Sequence, residues 1–342
     1  MNLTKTEFDS QYAALQNAAG VVDCSDRTQI EFTGADRAKF LHNLCTNAVR
    51  DLPIGQGCEA FVLNVKGHIV GHLLLFAGPH SIVLETVDGQ AEKLLAHFDR
   101  YLIREDVQLH DRTAAWGELL LAGPQAEKLL IECGASAPAA RLQHTQSEIA
   151  GKTVWIRQVD LCGPASFLIA APREFIPDVQ QALIAAGAIT CQREVLETAR
   201  IEAGVPQYGN DITEENLPQE IDRDVQAISF TKGCYLGQET VARIDALGHV
   251  NRLLRSVKFF GETVPTVGLE LFAAKPQAAV EQPATAAQST AEKSVGQITS
   301  ACWSPRTNSP LALALVKRGY HEPGTRFDSP AGPAMVLATG TG

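Results

Sequence analysis

The pattern of apolar and polar positions changes period several times within the first 110 residues. Apolar residues at helical spacing predict helices over 7–19 and 36–44 and a third helix after Asp88. Alternating or continuous apolar runs predict strands between these helices, over 29–32, 60–65, 69–76 and 81–87. Strands this close in sequence pair most simply with their neighbours, so we expect an α+β unit of mostly antiparallel strands.

A similar order of elements recurs after residue 110. The pattern predicts strands and helices in the order strand 118–122, helix 124–133, strands 153–159 and 166–170, and helices 173–186 and 193–203. The last helix should end at Gly204, since Pro206 follows just beyond. The recurrence predicts two related α+β halves, at 1–110 and 111–250.

The C-terminal part has a different pattern of short strands and turns. Strands are expected at 253–260, 268–272, 295–302 and 311–316, which is typical of a small β-barrel or sandwich over 251–342. Residues 273–294 interrupt this pattern with a run of Ala, Gln, Pro, Ser and Thr. Such a run has too few large apolar side chains to offset its ordering entropy, so we expect a mobile surface insertion.

Composition and charge narrow the possible partners. Hydrophobic residues make up 45% of the chain and charged residues 20%, as in ordinary globular proteins. The net charge of −10 repels phosphate backbones and anionic lipid, so we expect no direct binding to nucleic acid. No apolar stretch approaches the roughly 20 residues that span a bilayer, and the first residues resemble no targeting peptide. The expected compartment is cytoplasmic.

Several common enzyme and metal motifs are missing from the sequence. These include G-x-S-x-G, H-E-x-x-H, the P-loop and the EF-hand pattern. The eight cysteines form no C-x-x-C pair, which argues against a zinc ribbon or a disulfide framework. His68 and His72 lie in a strand-like run, where four residues separate them by about 13 Å. We therefore expect no metal site.

The segment 232–239, with the sequence KGCYLGQE, carries the most specific chemical signal. Glycines flank its cysteine, Cys234, and a helix is expected to begin near Gln238. A helix N-terminus and the ammonium group of Lys232 would both stabilise a thiolate, which would make Cys234 the most reactive of the cysteines. The alternative is a turn in which Cys234 only fills space, and the residues alone leave both interpretations open.

This segment resembles the signature K-G-C-aromatic-x-G-Q-E of the YgfZ family. That family comprises folate-binding proteins related to the glycine-cleavage aminomethyltransferase (T-protein) and to mitochondrial factors that mature [4Fe-4S] proteins. Other stretches resemble further landmarks of the family in the same order, at 27–28, 33–49, 63–67, 200–220 and 295–305. The resemblance covers nearly the whole chain.

The resemblance implies a ring-like arrangement of two folate-binding halves and a C-terminal barrel, with tetrahydrofolate in the central channel. It implies that Glu202 pairs with the N–H groups of the pterin, although the residues alone favour a helix-surface carboxylate. The resemblance also implies folate contacts for Asn64, Val65 and Tyr208, and for Arg243 or Arg252 with the glutamate tail of folate. Gln238 and Glu239 would shape the cysteine loop at the same site.

The sequence departs from T-proteins at two places. T-proteins follow the strand turn with paired aspartates, one of which orients the aminomethyl chemistry, whereas this chain has Gly71 and His72. T-proteins also lack the cysteine of the K-G-C motif. Both differences agree with the YgfZ type, so the sequence disfavours glycine cleavage.

The leading hypothesis is a tetrahydrofolate-binding accessory protein for assembly or repair of [4Fe-4S] clusters in client enzymes, including radical enzymes that modify tRNA. Cys234 would ligate or exchange at a cluster, or react with a folate-borne one-carbon unit, and Lys232 would lower its pKa. One cysteine cannot hold a [4Fe-4S] cluster, so the contact would be shared or transient. The alternatives are a folate-dependent one-carbon transferase and a pure binding module, and whether the chain is an enzyme stays open.

Overall fold

The structure, a computed structural model, describes residues 3–163, 165–274 and 293–338. Helices α1 to α8 are Lys5–Asn17, Arg37–Leu44, Ala91–Asp99, Ala126–Glu132, Ile176–Ala185, Arg193–Glu202, Asp224–Ala227 and Gln238–Leu247. Short 3₁₀ helices are Arg173–Phe175 and Pro218–Ile221. Strands β1 to β17 are Gly20–Asp23, Arg27–Thr33, Gly57–Leu63, Ile69–Ala77, Ile82–Asp88, Gln108–Asp111, Trp116–Ala122, His144–Ile149, Lys152–Val159, Ser166–Pro172, Ile189–Thr190, Arg252–Phe259, Glu270–Ala273, Gly296–Ser304, Ser309–Lys317, Arg326–Asp328 and Ala334–Val336.

The described strands form two open sheets and a closed barrel. The first sheet has the order β3-β4-β5-β2-β6 with antiparallel neighbours, and the second has the order β11-β1-β7-β10-β9-β8. The barrel has the order β12-β15-β14-β13-β16-β17. Helices pack on the outer faces of both sheets, so the expected α+β class with a C-terminal barrel is confirmed.

The chain crosses between the two sheets near its start. Strand β1 pairs with β7 and β11 in the second sheet, although the sequence places it in the first half. Both Val21 and Val22 are buried, as expected for an inner strand whose two faces are covered. A four-residue run shows too little periodicity to predict this, and β2 begins in the other sheet after only a short connection. Cys24 in that connection and Arg27 at the start of β2 lie between the sheets.

The inner faces of the two sheets share one apolar cluster. Leu74 and Phe76 of β4 pack with Leu120 of β7, Leu168 of β10 and Val195 of α6. Burial of this apolar surface on both sides fixes the two halves and α6 relative to one another. It also frames the space in which charged side chains of both halves meet.

The barrel encloses its own core, which includes Phe259, Leu271 and Phe327. Strand β13 ends at Ala273 and β14 begins at Gly296. Most of the predicted mobile insertion, residues 275–292, lies outside the described residues. Within the described part of the chain, none of the helices is long and apolar enough to cross a membrane.

Candidate functional site

A central cavity of about 190 Å³ lies between the two sheets, α6 and the segment 205–208. Apolar side chains such as Leu74 and Leu161 form part of its wall. Ten charged residues also line it, five basic and five acidic: Arg27, Arg141, Arg193, Arg200, Arg223, Glu59, Glu85, Asp88, Asp160 and Glu197. A second cavity of about 290 Å³ adjoins it and shares Pro206 and Arg223.

A buried carboxylate, Glu59, organises one side of the central cavity. Its side chain is 1% exposed and accepts hydrogen bonds from His72 Nε2 at 2.7 Å, from Arg223 Nη2 at 2.6 Å and from Arg141. Burial alone would raise the pKa of Glu59, but the hydrogen bonds from Arg223 and His72 outweigh it and lower that pKa. Glu59 is therefore ionised, and it holds two guanidinium groups at the cavity wall.

The alternation of strand β3 explains why Glu59 lies there. Cys58, Ala60 and Val62 point to the helix-covered core, so the residues between them face the other way. Glu59 and Phe61 are therefore on the cavity side, and the Phe61 ring stacks on His72 with centroids 5.1 Å apart. His72 thus joins the carboxylate and the aromatic ring in one unit.

A second group of buried charges lies at the junction of the two sheets. Arg27 pairs with Glu85 of the first sheet, and Arg157 Nη1 donates to Glu118 Oε1 of the second sheet at 2.5 Å. The Arg157 guanidinium also lies 4.8 Å from the centroid of the Phe76 ring. Burial, together with the nearby Glu85 charge, raises the pKa of Glu118. Two carboxylates and two guanidinium groups therefore share one desolvated region.

Tyr208 is the predicted folate-binding residue that lines the central cavity. Its hydroxyl accepts a hydrogen bond from Lys93 Nζ, and the same ammonium lies 4.5 Å from the centroid of its ring. Lys93 also pairs with Glu214 at 2.9 Å. The tyrosine ring is thus held in place by a cation from α3 of the first half.

Glu202 lies elsewhere. It borders the second cavity rather than the central one, and Tyr12 donates a hydrogen bond to its Oε2 at 2.6 Å. Ser304 of the barrel donates to the other carboxylate oxygen. Both oxygens therefore join α1 and the barrel to α6, and the pterin contact that the resemblance implies for Glu202 stays a prediction.

The other predicted tail and turn residues also lie outside the central cavity. The Oδ1 atom of Asn64 accepts from the backbone of Lys66 at 2.9 Å and so closes the turn, and Val65 at its tip is 71% exposed. Arg252 donates to Glu220 Oε1 at 2.8 Å. Arg243 is exposed on α8. The structure does not bring these residues together around one ligand space.

Lys232 makes contacts that the sequence did not predict. Its Nζ donates to three backbone carbonyls in the last turn of α2 and the segment after it, which are those of His42, Cys45 at 2.6 Å and Asn47 at 2.8 Å. The ammonium also lies 4.8 Å from the centroid of the Tyr235 ring, and burial lowers the pKa of Lys232. The charge therefore holds the loop to the first half, and its predicted effect on the neighbouring cysteine stays a prediction.

Cys234 is exposed, whereas the other cysteines are buried or half-buried. It lies four residues before α8, which begins at Gln238 as the sequence predicted. It is also not among the residues that line the central cavity. Gln238 begins α8 and Glu239 is exposed on its first turn. The thiol is thus accessible but separate from the charged cavity.

The loop 232–239 packs closely on the turn that contains Gly67. Gly237 has a φ of +78°, and a Cβ there would lie 2.6 Å from the Asn64 carbonyl oxygen. A Cβ on Gly67, whose φ is +83°, would lie 2.5 Å from Thr240 Cβ. Both positions require glycine. Two segments that are 170 residues apart thus form one rigid unit that presents Cys234.

Sequence reasoning missed the charged residues that dominate the cavity. Glu59, Arg141 and Arg223 belong to segments that are distant in sequence, and no local motif connects them. One signal was present, because Glu59 and Glu85 each interrupt an otherwise apolar strand. A charge on a strand that is buried on both faces indicates an ion pair or a ligand. Among the described residues, no cluster of His, Cys, Asp and Glu is suited to a metal ion.

Comparisons with known proteins agree with this architecture. An aminomethyltransferase of Caldanaerobacter subterraneus subsp. tengcongensis is 25% identical over 332 residues, which covers 93% of this chain and 82% of that protein. An aminomethyltransferase of Rubrobacter xylanophilus is 27% identical over 236 residues, and this match covers 68% of this chain and 63% of that protein. The crystal structure of glycine cleavage system aminomethyltransferase T from Bartonella henselae has the same fold, with a TM-score of 0.84 at 19% identity over 98% of this chain and 89% of that chain.

Two family models match the chain in succession. The model of the GCVT N-terminal domain matches residues 3–231, and the model of the glycine cleavage T-protein C-terminal barrel domain matches residues 266–339. The cysteine loop at 232–239 lies between the two matched ranges. Because the first model alone matches more than half of the sequence, the chain belongs to the glycine cleavage T-protein (GCVT) family.

Proposed function

We propose that this protein binds tetrahydrofolate or a one-carbon derivative in the central cavity and acts in folate-dependent one-carbon transfer. The observation that carries the proposal is the cavity itself, where apolar walls and convergent charges of both halves meet. Curated relatives that match over most of this chain are named aminomethyltransferases, which supports the same class of chemistry.

The residues present fit such a ligand. A pterin ring needs apolar and aromatic walls and a carboxylate acceptor, and the cavity offers Leu74, Tyr208 and the buried acid Glu85. The carboxylates of the folate tail need a cation, and Arg193 supplies a half-exposed guanidinium at the rim. When bound, tetrahydrofolate would supply the ring nitrogens that carry a one-carbon unit.

His72 is the group best placed to hold or move a proton in this cavity. It stands where T-proteins carry one of the paired aspartates, and its Nε2 donates to the ionised Glu59. In the neutral imidazole this bond keeps the proton on Nε2, so Nδ1 is the nitrogen that can accept a proton. A carboxylate-bound imidazole can accept a proton, which gives the cavity a substitute for the missing aspartate chemistry.

Binding and turnover test the proposal separately. Tetrahydrofolate should bind to the purified protein in a calorimetric titration. Addition of an aminomethyl donor, whose methylene carbon is transferred to tetrahydrofolate while its amino group leaves as ammonia, should yield 5,10-methylenetetrahydrofolate. We expect His72→Ala to lower the rate by at least about tenfold with little change in folate affinity, since general acid–base groups contribute that much or more. His80→Ala, at an exposed position, is the matched control. Absence of folate binding by the unaltered protein would refute the proposal.

A second candidate function is the accessory role in assembly or repair of [4Fe-4S] clusters in client enzymes. The exposed thiol of Cys234, held on a loop that two glycines and Lys232 make rigid, favours it. The pair Gly71-His72 in place of two aspartates favours it as well. In this role the chain would be of the YgfZ type, and Cys234 would ligate or exchange at a cluster that it shares with a client or holds transiently.

Reactivation of a [4Fe-4S] client separates the two candidates. In the accessory role, Cys234→Ser should abolish support of the client and leave folate binding intact, whereas Cys133→Ser, which alters a half-buried thiol, should not affect it. In the transferase role, Cys234→Ser should leave formation of 5,10-methylenetetrahydrofolate unchanged, because Cys234 does not line the cavity. If the Cys234→Ser protein supports the client enzyme fully, the thiol has no role in the accessory mechanism.

A further inference from the structure

Glu85 is a buried carboxylate whose second oxygen has no partner. Its side chain is 0% exposed, and Arg27 pairs with its Oε1. Its Oε2 is buried and accepts no hydrogen bond. The residue nevertheless borders the central cavity, together with its neighbours Thr86 and Val87. A carboxyl oxygen without a donor, on a residue at the wall of a cavity, is an unfilled acceptor position.

Two more orphaned polar atoms belong to the same region. Gln29 lies opposite Glu85 in the register of β2 and β5, and its Nε2 has no partner. The Oε2 atom of Glu118, which is 0% exposed, has none either. Arg27 contacts one oxygen of Glu85, and Arg157 contacts one oxygen of Glu118. The second oxygen of each carboxylate therefore has no donor from the protein.

Buried polar groups are nearly always hydrogen-bonded, so these atoms need an explanation. The usual ones are an ordered water or a ligand. Glu118 and Gln29 do not line the cavity and can be satisfied by a water behind it, whereas Glu85 borders the ligand space directly. The Arg27 contact also fixes the orientation of the Glu85 carboxylate. A preorganised carboxylate is suited to a planar ligand edge that presents adjacent N–H donors.

We propose that Glu85 is the acceptor for the N–H donor edge of the ligand ring, which is the 2-amino and N3–H edge of the pterin if the proposed folate function holds. This assigns ring recognition to strand β5 of the first half instead of to Glu202 of α6, whose oxygens are already occupied by Tyr12 and Ser304. Arg27 is then a positioning residue, since it acts on the ligand through Glu85.

Glu85→Gln tests the assignment through binding, without any need for turnover. The amide has the same size but loses the charge and turns a donor toward the ligand edge. We expect tetrahydrofolate affinity to fall at least about tenfold. The affinity for p-aminobenzoylglutamate, which has the folate tail without the pterin, should stay within about twofold. Glu31→Gln is the matched control, because Glu31 is on the neighbouring strand, pairs with Arg112 and does not line the cavity.

Every outcome of these binding measurements supports or overturns the assignment of Glu85. Unchanged tetrahydrofolate affinity in Glu85→Gln would overturn the assignment and leave folate binding intact, as expected if Glu85 is satisfied by water. An equal loss for both probes would also overturn it, because the effect would not be specific to the ring. Failure of the unaltered protein to bind tetrahydrofolate would remove the proposed function and this inference together. Should Glu85→Gln not fold, Arg27→Gln/Glu85→Gln, which leaves no unpaired charge, provides the same comparison.

Discussion

The central cavity and the cysteine loop at 232–239 are built in opposite ways. The cavity draws charged side chains from strands and loops of both halves, and its key carboxylates, Glu59 and Glu85, are almost fully buried. The loop is one continuous segment whose cysteine is exposed and whose glycines and lysine hold its backbone. The contiguous K-G-C motif marks a rigid loop that exposes the sulfur atom of Cys234, whereas the residues that line the central cavity form no local motif.

This difference separates structural from chemical roles within each region. In the cavity, the same ion pairs that hold the two halves also shape the ligand space, so a substitution there should affect stability and binding together. In the loop, Gly237 and Lys232 hold the fold while Cys234 remains free for chemistry. Substitutions in the loop should therefore divide sharply into destabilising and neutral ones.

The largest effect is expected for Glu59→Ala. Loss of this carboxylate leaves Arg223 and Arg141 beside a cavity without their buried partner, and such losses cost about 3 to 5 kcal/mol. The free energy of unfolding, measured in urea, should fall by that amount. Folate affinity should also fall. A loss below about 1 kcal/mol would mean that the ion pairs around Glu59 do not hold the two halves.

Acid should remove the stabilisation that comes from Glu59. Its pKa is lowered in the folded state, so this contribution is complete above the ordinary value of 4.5 and is lost as the pH falls from there toward the lowered value. The stability difference between the unaltered protein and Glu59→Gln should shrink by about 2 kcal/mol between pH 7 and pH 3. Urea titrations at both values measure it, and a difference independent of pH would contradict the lowered pKa.

Gly237→Ala should destabilise the cysteine loop. The substitution places a Cβ 2.6 Å from the Asn64 carbonyl oxygen at a φ of +78°, which should cost about 1 to 3 kcal/mol. Gly233→Ala is the matched control, because a Cβ there has no neighbour within 4 Å. It should change the free energy of unfolding by less than about 0.5 kcal/mol. Equal effects of the two substitutions would argue against the close packing of this loop on the Gly67 turn.

The smallest difference in the free energy of unfolding is expected between two substitutions within the K-G-C segment. Lys232→Met leaves three carbonyl groups without their donor and should cost about 1 to 3 kcal/mol. Cys234→Ser should change the free energy of unfolding by less than about 0.5 kcal/mol, since the thiol is exposed. Alkylation by iodoacetamide should modify Cys234 before the other thiols in the folded protein. A slower reaction at Cys234 than at Cys133 would show that the loop shields it.

Strong periodic patterns made most of the fold predictable from the sequence. The predicted helix 193–203 matches Arg193–Glu202, and the predicted strand 69–76 matches Ile69–Ala77. Strand β1 was missed, because four residues show no clear period and its partners, β7 and β11, are far away in the chain. Local pattern indicates which segments form strands, but it does not indicate which sheet a short strand joins.

The candidate site was predictable only in part, for a related reason. The sequence determined the α+β halves, the C-terminal barrel and an unusual cysteine segment, since these depend on periodicity and on contiguous residues. It did not determine that Glu59 would hold Arg141 and Arg223, or that Lys232 would bind three backbone carbonyls. Tertiary structure decided these contacts, because the energy of a buried charge depends on partners that the fold brings from distant segments.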